Sequence, residues 1–332
     1  MINKKTLILL RSLYLYLLAS LSIGCDNSLN TFEIDTVKNS LIVVNARLVA
    51  RQIPRVYIGK IWGATAKFPK ETFYRNADVE LFAEEKSVGK LFLKDTMYVN
   101  PNYIIKGNVK YSIKVSVPKI GFAESESVLI PPDGLLLSAT YNTKITVESA
   151  GGNTVRNPCL VTAVFKKSSD VAAYSVDLIG YNDEGQLICG YNNLEFGRRT
   201  IIKSPCFFET ATPYVDLLGN IGTFKFGKYA YVSKCIDTTE KEVKLFADLN
   251  SYGFTVPSLD PIKRFEIPNP INQIIVSVVA MSKEELELAK SIQLVEGFTA
   301  ALSEPHPTYS NIKGGLGVVT GYNVSYKILY IR

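Results

Sequence analysis

The sequence contains one histidine among its 332 residues, His306. Any Ser-His-Asp, Cys-His or histidine-ligated metal site would therefore have to use this residue. Pro305 and Pro307 hold the backbone around it extended and present the imidazole from a loop. No G-x-S-x-G nucleophile motif accompanies it. We expect His306 to be a surface or packing residue, and we assign no catalytic residue.

Signatures of metal, phosphate and nucleic-acid binding are also lacking. The five cysteines include no Cys-x-x-Cys pair and no Gly-Lys-Ser/Thr is present, so we expect neither metal nor cofactor. The adjacent carboxylates Glu84 and Glu85 are expected on a solvated surface rather than in a hydrolytic site. Beyond the amino-terminal segment, 34 basic residues face 31 acidic ones, and this net charge of +3 is too small to predict a nucleic-acid partner.

The sequence also lacks a long apolar run near its amino terminus. Lys4 and Lys5 precede an apolar run of 11 residues, 13–23, which is shorter than the roughly 20 residues that span a membrane. The order of basic, apolar and small residues predicts a signal peptide over residues 1–24. The sequence Leu-Ser-Ile-Gly-Cys that ends at Cys25 resembles a bacterial lipobox, with Ser22 where leucine is commonest.

Lipidation of Cys25 is the consequence that this resemblance implies. A diacylated or triacylated cysteine anchors a protein stably to a bilayer, whereas one chain holds it only marginally. We therefore expect the membrane as a partner through acylated Cys25, with residues 25–39 as a polar tether. An ordinary secreted protein, with a cysteine here by coincidence, is the alternative.

Two regions rich in β-branched and aromatic residues follow the tether. Alternating polar and apolar positions predict strands in the first of them, and Pro131-Pro132-Asp133-Gly134 ends it. We expect a mainly β protein, with an antiparallel immunoglobulin-like β-sandwich over 40–131 and a second β-rich domain over 132–332. The predicted strands are 41–48, 56–62, 77–81, 111–117, 159–166, 172–181, 186–189, 200–203, 241–249 and 273–280.

One helix and one glycine cluster mark the carboxyl-terminal part. Ser282 and Glu285 form a predicted capping box at the start of a helix over 282–296. A glycine-rich hairpin is expected over 310–331, with a strand at Val318 and Val319, a turn at 321–323 and a last strand. Since β-branched residues rather than a helix follow the glycines, we interpret them as a bulge or tight turn that needs positive φ, not as a phosphate cradle.

The run Ser310, Asn311, Ile312, Gly314, Gly315, Leu316, Gly317 resembles the signature of a Bacteroidota outer-membrane lipoprotein family, domain of unknown function 4249 (DUF4249). The lipobox cysteine, the early strand Leu41–Asn45 and the helix just upstream of the glycines agree with this resemblance. It implies an outer-membrane lipoprotein that is often encoded beside a TonB-dependent transporter. It supplies no catalytic residues.

Four cysteines remain in the body of an exported chain, which permits two disulfides with three connectivities. Our preferred pairing joins Cys189 with Cys206, on neighbouring predicted strands, and Cys159 with Cys235. Reduced, buried thiols are the alternative.

These observations predict a lipid-anchored, non-enzymatic accessory or binding lipoprotein with an unidentified ligand, and the family resemblance implies a TonB-dependent transporter as candidate partner. The periplasmic and the cell-surface face of the outer membrane both stay open. A structural or adhesive pilin-like subunit that polymerises by strand exchange is the first alternative. A secreted hydrolase using His306 or acidic residues is the second.

Overall fold

Alternating apolar side chains form strands along most of the chain, and the computed structural model shows a mainly β fold. It describes residues 41–61, 71–145, 158–182, 187–188, 191–193, 206–216, 218–222, 225–248, 271–293 and 308–331. The described strands and helix belong to one compact unit, Leu41–Lys60 with Glu71–Arg332.

The amino-terminal half of the described chain contains eight strands. They are β1 (Ile42–Val49), β2 (Arg55–Lys60), β3 (Asp78–Ala83), β4 (Lys86–Lys94), β5 (Met97–Val99), β6 (Lys110–Val117), β7 (Gly121–Ser125) and β8 (Val128–Leu129). Strands β1, β2 and β5 face β3, β6 and β7 across a core that includes Val44, Ile58, Leu81 and Ile113. The predicted alternation is confirmed in β6, whose apolar positions are buried while the polar ones are not.

The remainder adds eleven described strands and one described helix. They are β9 (Leu136–Asn142), β10 (Pro158–Lys166), β11 (Ala173–Tyr181), β12 (Leu187–Ile188), β13 (Tyr191–Asn193), β14 (Phe207–Thr212), β15 (Lys225–Val232), β16 (Glu240–Asp248), β17 (Gln273–Met281), α1 (Lys283–Gln293), β18 (Ile312–Lys313) and β19 (Gly315–Tyr330). The predicted helix is confirmed over α1. Residues 294–296, which were also predicted to be helical, lie outside the described residues, as does the predicted strand 200–203.

Two sheets organise these strands. The large one runs in the order β14-β15-β11-β17-β19-β1-β2-β5-β4-β3-β6-β7-β18, with β12 on β11 and β8 on β6. The small one runs β13-β16-β10-β9 and encloses a second core against one face of β11 and β17. A third core lies on the opposite face of those strands, where Leu286 and Ala289 of α1 pack. The large mixed sheet and the smaller sheet are consistent with a β-sandwich.

Strand β19 joins the two sequence regions. It pairs in parallel with β1, from Ile42 opposite Gly315 to Val49 opposite Tyr322, and antiparallel with β17 on its other side. The other ladders between described strands are antiparallel. The Pro131–Gly134 segment lies in a stretch, residues 130–135, that contains no strand. Strands from both sides of that point share one sheet, and the domain boundary at 131–132 stays a prediction.

Strand β19 also corrects the predicted glycine-rich hairpin, because it runs for 16 residues without a turn at 321–323. A β-carbon on Gly321 would lie 2.9 Å from Ile130 Cδ1, so the glycine at this position permits close packing rather than chain reversal. Both strands of the predicted hairpin lie within β19, which pairs with β1 and β17 rather than with itself, and the short β18 before it pairs with β7.

Candidate functional site

A cleft of about 640 Å³ opens on the side of β1 that faces away from the first core. We call it the β1–α1 cleft. Its described lining is Asn45, Ala46, Arg47, Val49, Gln52, Ile53, Arg55, Tyr57, Met97, Ile221, Gly222, Leu288 and Val318. This volume lies within the range of about 300–1,000 Å³ typical of small-molecule pockets.

The alternation of β1 creates the floor of this cleft. Ile42, Val44 and Leu48 are buried in the first core, so the residues between them project to the other face of the sheet. Asn45 and Arg47 are two of those residues, and both line the cleft. A strand with one covered face would normally expose such side chains to solvent. Here Leu288 of α1 and the segment around Ile221 form walls over them.

Hydrogen bonds fix the walls and floor relative to each other. The Gln52 side-chain amide donates to the Ile221 carbonyl at 2.5 Å, which joins the turn after β1 to the 221–222 segment. The Val318 backbone N–H donates to Asn45 Oδ1 at 3.0 Å and so ties β19 to β1. These two contacts connect segments that are more than 160 residues apart in sequence.

A buried carboxyl group, Glu285, lies on α1 one turn before Leu288, which lines the cleft. Its Oε1 accepts a hydrogen bond from Thr210 Oγ1 at 3.1 Å, and the side chain is almost fully buried. Burial raises the pKa of Glu285 above its ordinary value, opposed by the Arg47 guanidinium and by the hydroxyls of Tyr322, Thr210 and Thr320. Arg47 therefore connects the cleft electrostatically to this interior group.

Both side chains of the predicted capping box contact neighbouring strands. The hydroxyl of Ser282 accepts a hydrogen bond from the Gly321 N–H at 3.1 Å, while Glu285 contacts Thr210 of β14. The residues that predict the start of the helix thus also dock it on the sheet.

The glycine run forms the β1–β19 junction, and the predicted need for positive φ is confirmed at Gly314 (φ 73°) and Gly317 (φ 111°). A β-carbon on Gly315 would lie 2.4 Å from the Ile42 carbonyl oxygen. One on Gly317 would lie 2.2 Å from that of Val44. Both glycines permit β19 to approach β1, and a strand rather than a helix follows them.

Asn311 has a structural role in the same motif. Its side-chain amide donates to the Val319 carbonyl and its Oδ1 accepts from the Val319 N–H, both at 2.9 Å, and the residue is buried. Ser310 Oγ accepts from the Ile312 N–H, and Leu316 is 46% exposed. The motif thus holds β19 in place. Val318, which directly follows the motif, lines the cleft.

The structure contradicts the predicted disulfides. Cys206 pairs with Cys235, and Cys159 is a buried free thiol whose pKa burial raises to about 11. The prediction assumed that strands close in sequence are paired. In the structure Cys206 precedes β14, and the neighbouring strand β15 runs into the 3₁₀ turn Ser233–Cys235, so Cys206 and Cys235 come together. Cys159 faces the second core from β10. Cys189 lies outside the described residues.

Two further sequence candidates, Cys25 and His306, also lie outside the described residues. Within the described part of the chain, no group of three or more His, Cys, Asp or Glu side chains could hold a metal ion. The described residues contain no helix that combines the length and apolar character needed to cross a membrane.

Glu84 and Glu85, both with positive φ, form the two-residue turn between β3 and β4. The Glu84 carboxylate accepts a hydrogen bond from the Lys110 N–H at 2.8 Å.

Sequence reasoning missed Arg47 and Arg55 as site residues. The available signal was the alternation of β1 and β2, which predicts these side chains on the face opposite the core. That pattern does not reveal what covers the face, because α1 and Ile221 are distant in sequence.

Fold and cleft together define a mainly β protein with a concave site of ligand size. The chain belongs to the family described as a domain of unknown function, DUF4249, whose family model matches residues 30–328. No curated protein matches the sequence. Among solved structures, an α-L-rhamnosidase from Dictyoglumus thermophilum aligns with 10% identity and a TM-score of 0.28. The alignment covers 88% of this chain and 30% of the rhamnosidase chain.

Proposed function

We propose that this protein is a non-enzymatic binding lipoprotein that is anchored to the bacterial outer membrane through acylated Cys25 and assists a TonB-dependent transporter. The β1–α1 cleft is the observation that carries the binding role. Its volume of about 640 Å³ suits a small molecule, and its polar groups are arginines, amides and a phenol, which orient bound ligands.

The anchoring part of the proposal is supported by the amino-terminal sequence. A basic start, a short apolar run and Gly24 before Cys25 are typical of a lipoprotein signal. The polar residues that follow give the lipid a tether before β1 begins at Ile42. Two or more acyl chains hold a protein at a bilayer stably.

Replacement of the acylated residue tests the anchor. We expect the wild-type chain in the outer-membrane fraction with a lipid on Cys25 by mass spectrometry, and Cys25→Ser to be unprocessed and unlipidated. The double variant Cys25→Ser/Ser28→Cys is a matched control, since it restores a thiol to the tether at the wrong position. An unmodified Cys25 in the wild-type chain would refute the anchor.

Capture of the native lipoprotein from membranes tests the accessory role. We expect a TonB-dependent transporter to be recovered with it. Recovery of further copies of the same chain, linked in a ladder of oligomers, would favour the pilin-like alternative and contradict the proposal. Recovery of neither a transporter nor an extracellular ligand also counts against it.

A further inference from the structure

We propose that the β1–α1 cleft binds an organic anion in which a carboxylate head is joined to an apolar body. The inference rests on the proposed binding function and adds the chemical class of the ligand.

The charge of the lining has one sign. Arg47 and Arg55 are its charged residues, and the described lining includes no carboxylate. A guanidinium presents its donors in a planar fork that matches the two oxygens of a carboxylate. The lining therefore favours an anionic head over a neutral or cationic one.

The two arginines differ in how they are held. Arg47 lies close enough to the buried carboxyl group of Glu285 to interact with it electrostatically, so Glu285 offsets part of the Arg47 charge. Arg55, at the start of β2, is exposed and forms no ion pair with another described residue. The ligand head is therefore assigned to Arg55, whose charge no described carboxylate offsets.

A further donor lies on the same floor. Asn45 Oδ1 already accepts the Val318 N–H, so the amide NH₂ of Asn45 is the part of its side chain left to donate to a ligand. Asn45 and Arg47 are two residues apart on β1 and project to the same face. An anion on this floor would meet donors from both strands.

The remaining walls are apolar. Ile53, Met97, Ile221 and Leu288 come from four separate segments and line the cleft together with Val49 and Val318. A small inorganic anion would leave these walls without a partner, whereas an alkyl or aromatic body would cover them. This combination selects an amphiphilic carboxylate rather than phosphate or sulfate.

Calorimetric titration of the full chain carrying Cys25→Ser tests the assignment with four probes. Octanoate has the proposed head and body, octan-1-ol lacks the charge, octylammonium reverses it, and acetate lacks the body. We expect octanoate to bind saturably and at least about tenfold more tightly than the other three, as a charge-assisted contact predicts.

Two variants assign the head. Arg55→Gln should weaken octanoate binding by about tenfold or more, and Arg55→Lys should retain part of the affinity because it keeps the charge. Arg75→Gln is the matched control, since Arg75 is a surface arginine that is ion-paired with Glu71 and does not line the cleft. Its affinity should stay at the wild-type value.

Three results would overturn the inference: no saturable binding of octanoate, equal affinity for octan-1-ol or octylammonium, or equal losses in Arg55→Gln and Arg75→Gln. Failure here is distinguishable from failure of the proposed function. An anchored chain that captures a transporter but does not bind octanoate would contradict the ligand class alone.

Discussion

The close approach of β19 to β1 should make the glycine run the most sensitive part of the fold to small substitutions. Three glycine-to-alanine variants separate two causes of destabilisation. Gly134 has φ 71° with open space where a β-carbon would be placed. Gly315 lacks a positive φ, but its β-carbon would lie 2.4 Å from a backbone oxygen. Gly317 combines φ 111° with a 2.2 Å approach.

The expected magnitudes follow from these geometries. Gly134→Ala should cost about 1 kcal/mol, the usual penalty for a left-handed non-glycine residue. Gly317→Ala adds a clash with the Val44 carbonyl that side-chain rotation cannot relieve, so β1 and β19 must separate. It also disturbs the hydrogen bond from Val318 to Asn45. We expect a total loss of about 3–4 kcal/mol for Gly317→Ala, with Gly315→Ala in between.

Equilibrium unfolding in urea, followed by circular dichroism, measures the three midpoints. A loss in Gly317→Ala no larger than that in Gly134→Ala would refute the reasoning, because the close β1–β19 approach would then contribute nothing. An unchanged urea slope m in the three variants is needed for the midpoints to report stability.

Three other substitutions test the remaining contacts. Cys206→Ser opens a disulfide that spans 29 residues and should lower the free energy of unfolding by about 3–4 kcal/mol. A wild-type chain that unfolds at the same urea midpoint with and without reductant would contradict this. Asn311→Ala leaves the buried N–H and C=O of Val319 unpaired and should lower the free energy of unfolding in urea by about 2–4 kcal/mol. A smaller decrease than in an exposed control such as Asn102→Ala would refute this expectation. The pKa of Glu285 is raised in the folded state above its ordinary value of 4.5. Between these two pKa values the folded chain binds more protons than the unfolded chain. The free energy of unfolding should therefore fall as the pH rises from 4.5 through the raised pKa. Glu285→Gln should lack this component, and identical pH profiles of the wild type and Glu285→Gln would contradict it.

Local pattern predicted the strands that carry the cores. The alternations at 77–81 and 111–117 correspond to β3 and β6, and the apolar runs at 172–181 and 273–280 correspond to β11 and β17. Strand β4 was missed because its alternation is weak: residues 86–90 are largely exposed, and Gly89 interrupts it. Short strands such as β8 and β18 carry too few residues to show a period.

Long-range pairing was beyond the reach of sequence periodicity. The β1–β19 ladder joins residues about 273 positions apart, and nothing in either strand specifies the partner or its parallel direction. The disulfide prediction was wrong for the same reason, since it inferred spatial neighbours from neighbours in sequence. Cys206 and Cys235 meet through the β14–β15 pairing, which the pattern of those segments did not predict.

The glycine run and the cleft are physically coupled even though the glycines do not line the cleft. Gly315 and Gly317 set the spacing between β19 and β1, and Val318, the next residue, lines the cleft and donates its N–H to Asn45. A change of less than an ångström in that spacing would break this hydrogen bond and move the Asn45 amide relative to Arg47. The glycine run carries no reactive group, and it controls the geometry of the cleft floor through the spacing of the two backbones. Gly317→Ala should therefore lower the affinity of the cleft for a ligand, although Gly317 does not line the cleft.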